Sequence, residues 1–286
     1  MAGFGRSTLA GVGVGPGDPS LVTLQALATL QAADRVFGPT MDADLAGRAE
    51  TILAVAAPEV AVERLAFAIQ ADEGARAQAH TAAAATVAAR LDAGEAVAFV
   101  TLGDPNLYST FHHLAAAVRE LRPATPVRTV PGIMAFQDLA SRAGAVVTDG
   151  TERLGLVTAV EGTADLEAAL ADPSSAVVVY KGGRHLGRIA DLLRGAGRLE
   201  GAVVGELLGM PGERVGPLSE RSAPASYLAC VIVPPARGAG AVGGGASGSG
   251  APVGGGAPGA GGVGGGGGAP GAGGVGGGSP RAAVRR

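Results

Sequence analysis

Apolar and polar positions follow two rhythms along this chain. Short, nearly unbroken apolar runs occupy residues 9–14, 97–101, 127–130, 154–160, 176–180, 201–207 and 227–233. Runs of this length bounded by Gly and Pro predict strands, and unbroken rather than alternating runs predict strands covered on both faces. Between the early runs lie Ala-rich stretches with helical spacing at 21–33, 75–91, 107–121 and 134–143. Strand and helix in alternation predict parallel strands joined by helical crossovers. Beyond about residue 150 the helical stretches shorten, and Asp172-Pro173, Gly182-Gly183 and Met210-Pro211-Gly212 punctuate the chain. A second, more mixed sheet is expected there, with a boundary near 145–151.

Two of the apolar runs end alike. The first leads into Gly15-Pro16-Gly17-Asp18-Pro19 and the second into Gly103-Asp104-Pro105. Gly permits a sharp turn or close approach of a ligand, Asp suits an N-cap, and Pro suits a first helical position. Two such strand ends side by side predict a crevice floored by backbone, the place where open α/β sheets bind ligands. Asp104, read as a cap, has its carboxylate occupied by backbone N–H groups and is a poor proton-transfer group. The chemistry then rests with the exposed main chain of residues 102–104.

Composition narrows the choice. The chain has 286 residues, 47% hydrophobic but only 3% aromatic, with no Trp and 50 Gly, so its core is built from Ala, Val and Leu. From Arg237 onward it is Gly, Ala and Pro, with one ten-residue segment at 257–266 repeated at 269–278. So few bulky side chains cannot offset the entropy of ordering, and 237–286 is expected to be a flexible tail. Taking that tail's four Arg and no acids from the overall −3 leaves −7 over residues 1–236, which argues against a general nucleic-acid binder. Cys230 is the single cysteine, so no internal disulfide can form. No apolar run reaches the roughly 20 residues of a membrane helix, and no leader sequence is evident. A cytoplasmic setting is the expectation.

Familiar glycine loops fail. A G-x-G-x-x-G register starting at Gly11 ends on Pro16, and one starting at Gly13 ends on Asp18. A phosphate loop fails because Lys181, the one lysine, is far away.

With these loops in hand, the chain resembles the tetrapyrrole (corrin/porphyrin) methylase family over roughly residues 8–235. The resemblance rests on residues 11–19, on Thr101-Leu102-Gly103-Asp104-Pro105, on Val130-Pro131-Gly132-Ile133, on Val178-Val179-Tyr180-Lys181 and on residues 209–215. Residues 101–110, 181–185 and 227–233 look most like the branch that methylates C20 of precorrin-2. The resemblance implies an α/β fold of two α/β domains, 1–146 carrying a tetrapyrrole trough and 147–236 closing a methyl-donor cleft, with a homodimeric assembly. It implies S-adenosyl-L-methionine as donor, held by Pro16, Leu102, Gly103, Asp104, Leu107, Met134, Ala135, Tyr180, Leu207, Leu208 and Ala225. Met134 and Ala135 stand where the family has a small polar pair, so contact there is expected to be apolar or through backbone.

Methyl transfer from a sulfonium needs orientation and a dry pocket more than acid–base help. A base can still take the proton lost as the methylated ring rearranges, and Tyr108, His112 and His113 are the nearest candidates, with Tyr108 and His112 preferred. Adjacent helical histidines diverge by about 100°, so only one can face the site. A substrate bearing eight carboxylates needs cations, drawn from Arg35, Arg64, Arg128, Lys181, Arg184 and Arg214, with Lys181 and Arg184 favoured. Helix N-termini after Asp18 and Asp104 are expected to add dipole attraction. No metal-ligand cluster stands out. The rival readings are another positional corrin or uroporphyrinogen methylase and a non-catalytic tetrapyrrole-binding module.

Overall fold

The structure is a computed structural model in which residues 5–42, 44–67, 73–221 and 224–237 are described. These residues belong to one compact unit, Met1–Ala246. The tail expected to be flexible lies outside the described residues except for Arg237. That residue is anchored: its guanidinium donates to both Glu152 carboxylate oxygens, at 3.0 and 2.8 Å, and to the Val146 carbonyl at 3.2 Å.

The first sheet has the order β3-β2-β4-β1-β5, with β1 Leu9–Gly13, β2 Arg35–Thr40, β3 Val62–Ala66, β4 Val97–Thr101 and β5 Val127–Val130. Its pairings are parallel, and the two strands leading into Gly-Asp-Pro, β1 and β4, are direct neighbours in register Leu9 to Val97. Both are buried along their whole length because helices cover both faces. Side chains alternate between the covers. Leu9, Val97 and Phe99 pack with α3 (Glu73–Asp92) and α4 (Phe111–Leu121), through Val87, Leu91, Leu114 and Val118. Ala10, Val12, Ala98 and Val100 pack with α1 (Leu24–Gln31) and α2 (Arg48–Ala56), through Leu30, Ile52 and Leu53.

Two of these strands escape the hydrophobic pattern. β2 contains Gly38 and Pro39, which read as punctuation, but its ladder to β4 ends at Phe37, ahead of the proline. β3 is an edge strand with only Leu65 buried.

The second sheet has the order β6-β7-β10-β8-β9 and is mixed, as its sequence predicts. β6 Arg153–Thr158 and β7 Ser175–Tyr180 run parallel, whereas β8 Val203–Glu206, β9 Arg214–Pro217 and β10 Cys230–Val233 pair antiparallel. One face packs on α6 (Ala164–Ala169) and α7 (Leu186–Gly195), through Leu166, Ile189 and Leu193. The other packs on α5 (Ala135–Ala143), through Leu139 against Val178, Cys230 and Ile232. The helix leaving the last strand of the first sheet therefore lies on the second sheet. No helix among the described residues is long and apolar enough to cross a membrane.

Candidate active site

The C-terminal ends of β1, β4 and β5 meet main chain to main chain. The Gly103 N–H donates to the Gly15 carbonyl at 2.8 Å, and a Cβ on Gly13 or Gly132 would collide with the Gly103 carbonyl oxygen. Gly103 has φ 68° and nothing within 4 Å of the place a side chain would take, so its backbone faces open space. Asp104 closes the junction: Oδ1 accepts from the Asn106 N–H at 2.8 Å and Oδ2 from the Gly132 N–H at 3.0 Å. The carboxylate is thus occupied by backbone, as capping predicts, and braces one loop against the next.

What the brace caps is a turn, not a helix. After Asp104 the chain turns, Tyr108 takes φ 51°, and α4 starts only at Phe111 instead of at 107. Asp18 accepts from the Ser20 N–H at 2.8 Å and opens a three-residue 3-10 turn, Pro19–Leu21, after which Thr23 caps α1. The expected α-helix N-termini directly after both aspartates are therefore absent, because each Asp side chain satisfies an amide two residues on and closes a local turn. Asp104→Asn is expected to lower stability by about 2 kcal/mol in urea unfolding. An amide oxygen replaces one acceptor and turns its NH2 toward the other N–H; an unchanged midpoint would remove the brace.

A cleft of about 260 Å³ lies where these loops face the ends of β7 and β8. Its walls include Pro16, Leu102, Gly103, Asp104, Leu107, Met134, Ala135, Tyr180, Leu207 and Leu208, which are ten of the eleven residues expected to hold the donor. Ala225 is not among the lining residues; it packs with the apolar cluster around Ile189, and its N–H donates to the Gly183 carbonyl at 3.0 Å. Tyr108 and Lys181 line the cleft, whereas His112 and Arg184 do not. Both His112 and Arg184 are exposed, and His112 directs Nδ1 to the Ser109 carbonyl at 2.8 Å, toward its own helix start. Its ring lies 3.7 Å from that of His113, so the pair cluster together outside the cleft rather than dividing between cleft and solvent.

Pro39, Arg48, Thr101, Ser109, Thr110, Met210, Tyr227 and Leu228 also line the cleft without having been singled out from the sequence. Thr101, Ser109, Thr110, Met210, Tyr227 and Leu228 lie inside segments 101–110, 209–215 and 227–233, which carry the resemblance, yet were themselves given no site role. Pro39 and Arg48 belong to the strand and helix that the pattern missed.

Of the four described non-glycine residues with positive φ, three border this cleft: Tyr108, Lys181 and Leu207, at 51°, 58° and 53°. Such conformations cost about 1–3 kcal/mol each and persist where neighbours hold them. The Tyr108 hydroxyl donates to the Leu156 carbonyl at 2.9 Å, and Lys181 Nζ donates to the Tyr108 carbonyl at 3.2 Å. These two bonds cross between the β4–α4 loop and the second sheet. Lys181 Nζ also stands 6.0 Å from the ring centroids of both Tyr108 and Tyr227. Burial pushes the Lys181 ammonium below the usual lysine range and raises the phenol of Tyr180. Burial, with a smaller contribution from Asp165, raises that of Tyr108.

The second wall is tied to the first by Arg142. Its guanidinium meets Asp138 at 2.8 Å, Glu213 at 2.9 Å and Asp18 at 3.5 Å. Glu213 in turn accepts from the Gly209 N–H at 2.5 Å. Gly209, at φ 67°, lies so close to the Asp18 backbone that a side chain there would collide with it. This clasp holds Leu207 and Leu208 opposite Pro16.

Most other arginines are committed. Arg35 pairs with Glu63 and Glu95, Arg64 with Glu50, and Arg214 with Glu206, which removes three of the proposed substrate cations from service. Among the described residues no group of three or more His, Cys, Asp or Glu can hold a metal ion.

A cleft of this architecture, walled by main chain and apolar side chains, suits a ligand held by shape and backbone contact. Residues 8–223 match the family model of the tetrapyrrole (corrin/porphyrin) methylases. The chain is 34% identical over 244 residues to a precorrin-2 C(20)-methyltransferase from Sinorhizobium, a match covering 82% of this chain and 98% of that protein. It is 29% identical over 204 residues to the cobalt-precorrin-2 C(20)-methyltransferase of Salmonella typhimurium, covering 70% of this chain and 83% of that one. The crystal structure of uroporphyrin-III C-methyl transferase from Thermus thermophilus complexed with S-adenyl homocysteine superposes with a TM-score of 0.55 at 25% identity, over 79% of this chain and 97% of that one. By sequence match and by fold together, the chain belongs to the tetrapyrrole (corrin/porphyrin) methylases.

Proposed function

We propose that this protein transfers a methyl group from S-adenosyl-L-methionine to C20 of precorrin-2, or of its cobalt-loaded counterpart, in cobalamin biosynthesis. The observation that carries the reading is the match to the Sinorhizobium enzyme along nearly that enzyme's whole length. The cleft fits the donor: the open face of Gly103 is a cradle that a side chain would fill, and the surrounding Leu, Met and Tyr side chains exclude water. When bound, the donor supplies a methyl group on a positively charged sulfur, already activated for in-line displacement.

The protein's own contribution is then orientation. Pro16, Leu102, Gly103, Leu107, Met134, Ala135, Tyr180, Leu207 and Leu208 grip the donor, and Asp104 holds the floor rigid. Domain 1–146 offers the trough for the ring and domain 147–236 completes the donor cleft. Tyr108 is better suited than His112 to meet the ring. Its phenol, raised by burial and already donating to Leu156, stays protonated at neutral pH and acts as a hydrogen-bonding group, not a base. A homodimer in the cytoplasm belongs to the same reading, supported by family membership.

Incubating the protein with labelled donor and each reduced tetrapyrrole is expected to give one singly methylated product, from precorrin-2 or its cobalt form. Turnover of uroporphyrinogen III or a later corrinoid alone would reassign the position. Binding of both ligands without transfer would make this a binding module.

Lys181 is the cation we assign to a substrate carboxylate, and its lowered pKa gives the sign of a pH effect. The ammonium is charged below that pKa, so substrate KM is expected to rise as pH climbs through it, below the ordinary 10.5. Lys181→Arg, whose charge persists, should abolish that alkaline limb in a KM–pH profile; a limb unchanged in the variant would assign it elsewhere.

A further inference from the structure

Arg48 is the first residue of α2 and the cation that the first sheet's half contributes to the cleft lining. Its Nη1 lies 3.7 Å from the Met210 sulfur, a weak acceptor that cannot compensate a guanidinium. The nearest acid in sequence, Glu50, is already committed, receiving both Nε and Nη2 of Arg64 at 2.8 Å and the Gly47 N–H at 3.3 Å. Partial burial pushes the Arg48 guanidinium below the usual range, and among the described residues no neighbouring carboxylate opposes that shift. In a body of formal charge −7, where the other arginines around the clasp and the sheet edges are paired, this cation at an open cleft has no compensating acid among the described residues. Arg48 is also exposed to solvent, so an incoming ligand can reach it.

Resting on the methyltransferase reading above, we propose that Arg48 is a specificity-determining residue that binds a ligand carboxylate across the cleft from Lys181. A guanidinium presents two parallel N–H donors to a carboxylate, a pairing that Met210 leaves available. Two ligand groups share that chemistry, the amino-acid carboxylate of the donor and a peripheral carboxylate of the tetrapyrrole.

The full chain, as wild type, Arg48→Gln and Arg48→Lys, is titrated calorimetrically with S-adenosylhomocysteine and with 5′-methylthioadenosine, which lacks the amino-acid carboxylate. Each protein is also assayed for precorrin-2 KM and for melting temperature. Arg48→Gln is expected to weaken one carboxylate ligand by about tenfold or more, with partial rescue in Arg48→Lys and an unchanged melting temperature. Weakened adenosylhomocysteine with unchanged methylthioadenosine assigns the donor carboxylate. Unchanged adenosylhomocysteine with a raised precorrin-2 KM assigns the substrate. Affinities and KM all within about twofold of wild type would overturn the proposal, as would equal weakening of both nucleosides alongside a lower melting temperature. Failure of the wild type to bind adenosylhomocysteine at all would instead overturn the methyltransferase reading.

Discussion

Gly132→Ala is expected to cost about 3 kcal/mol or more and to lower the melting temperature by about 6–12 °C. The added Cβ would fall on the Gly103 carbonyl oxygen and against the Gly13 backbone. Neither neighbour is the free end of a side chain. Relief must come from separating β5 from β1, or the β4 loop from both, and β1 is an interior strand buried along its whole length. Separation also breaks the Asp104 brace to the Gly132 N–H and tilts Gly103, whose backbone floors the cleft. Adenosylhomocysteine affinity should therefore fall with stability, by about tenfold or more. Differential scanning calorimetry and a titration check both; a variant that melts and binds like wild type would refute the main-chain junction.

The second large effect is expected from Arg142→Met. Removing the guanidinium leaves Asp138, 7% exposed, facing Glu213 and Asp18 with no cation between them. Breaking a half-buried pair in this way costs about 3 kcal/mol, because the orphaned charges repel and remain poorly solvated. Although burial alone would lower the Arg142 pKa, the Asp138, Glu213 and Asp18 charges outweigh it and raise it. The clasp therefore binds its charge tightly. Loss of the clasp frees residues 207–213 from the loop after β1, so the donor should bind more weakly than lost stability alone predicts. Arg142→Lys, which can reach one acid but not three, should recover only part of the loss. Urea unfolding with an adenosylhomocysteine titration measures both, and a shift below 1 kcal/mol in Arg142→Met would show the network to be surface decoration.

Much of the cleft was legible because its parts are contiguous short motifs. Residues 102–104 follow the fully buried β4 and residues 131–135 follow the short apolar run of β5, so apolar runs and glycine punctuation locate them without knowledge of the fold. Ala225 stands outside the cleft lining because the segment before β10 packs on α7. His112 stands outside the cleft lining because Tyr108, in the left-handed region, delays α4 to residue 111. A positive φ at a tyrosine has no sequence signature. It exists because Leu156 and Lys181, from another sheet, hold the tyrosine at both its hydroxyl and its carbonyl.

The sequence alone determined the central strands, the mixed second sheet and the occupation of the Asp104 carboxylate by backbone N–H groups, whereas its reach to Gly132 came from the fold. Burial on both faces forces a local, readable apolar pattern, and an Asx turn needs only its own two following residues. The edge strands β3 and β9 and the proline-bearing β2 were decided by the tertiary structure, since a half-solvated strand needs few apolar residues and a proline is tolerated where the ladder on one side, here toward β4, has ended. Tertiary structure also decided which cations are free. Ion pairing joins residues distant in the chain, Arg142 to Glu213 or Arg35 to Glu95, and a charge left over from that pairing, such as Arg48, is visible only once every other partner has been placed.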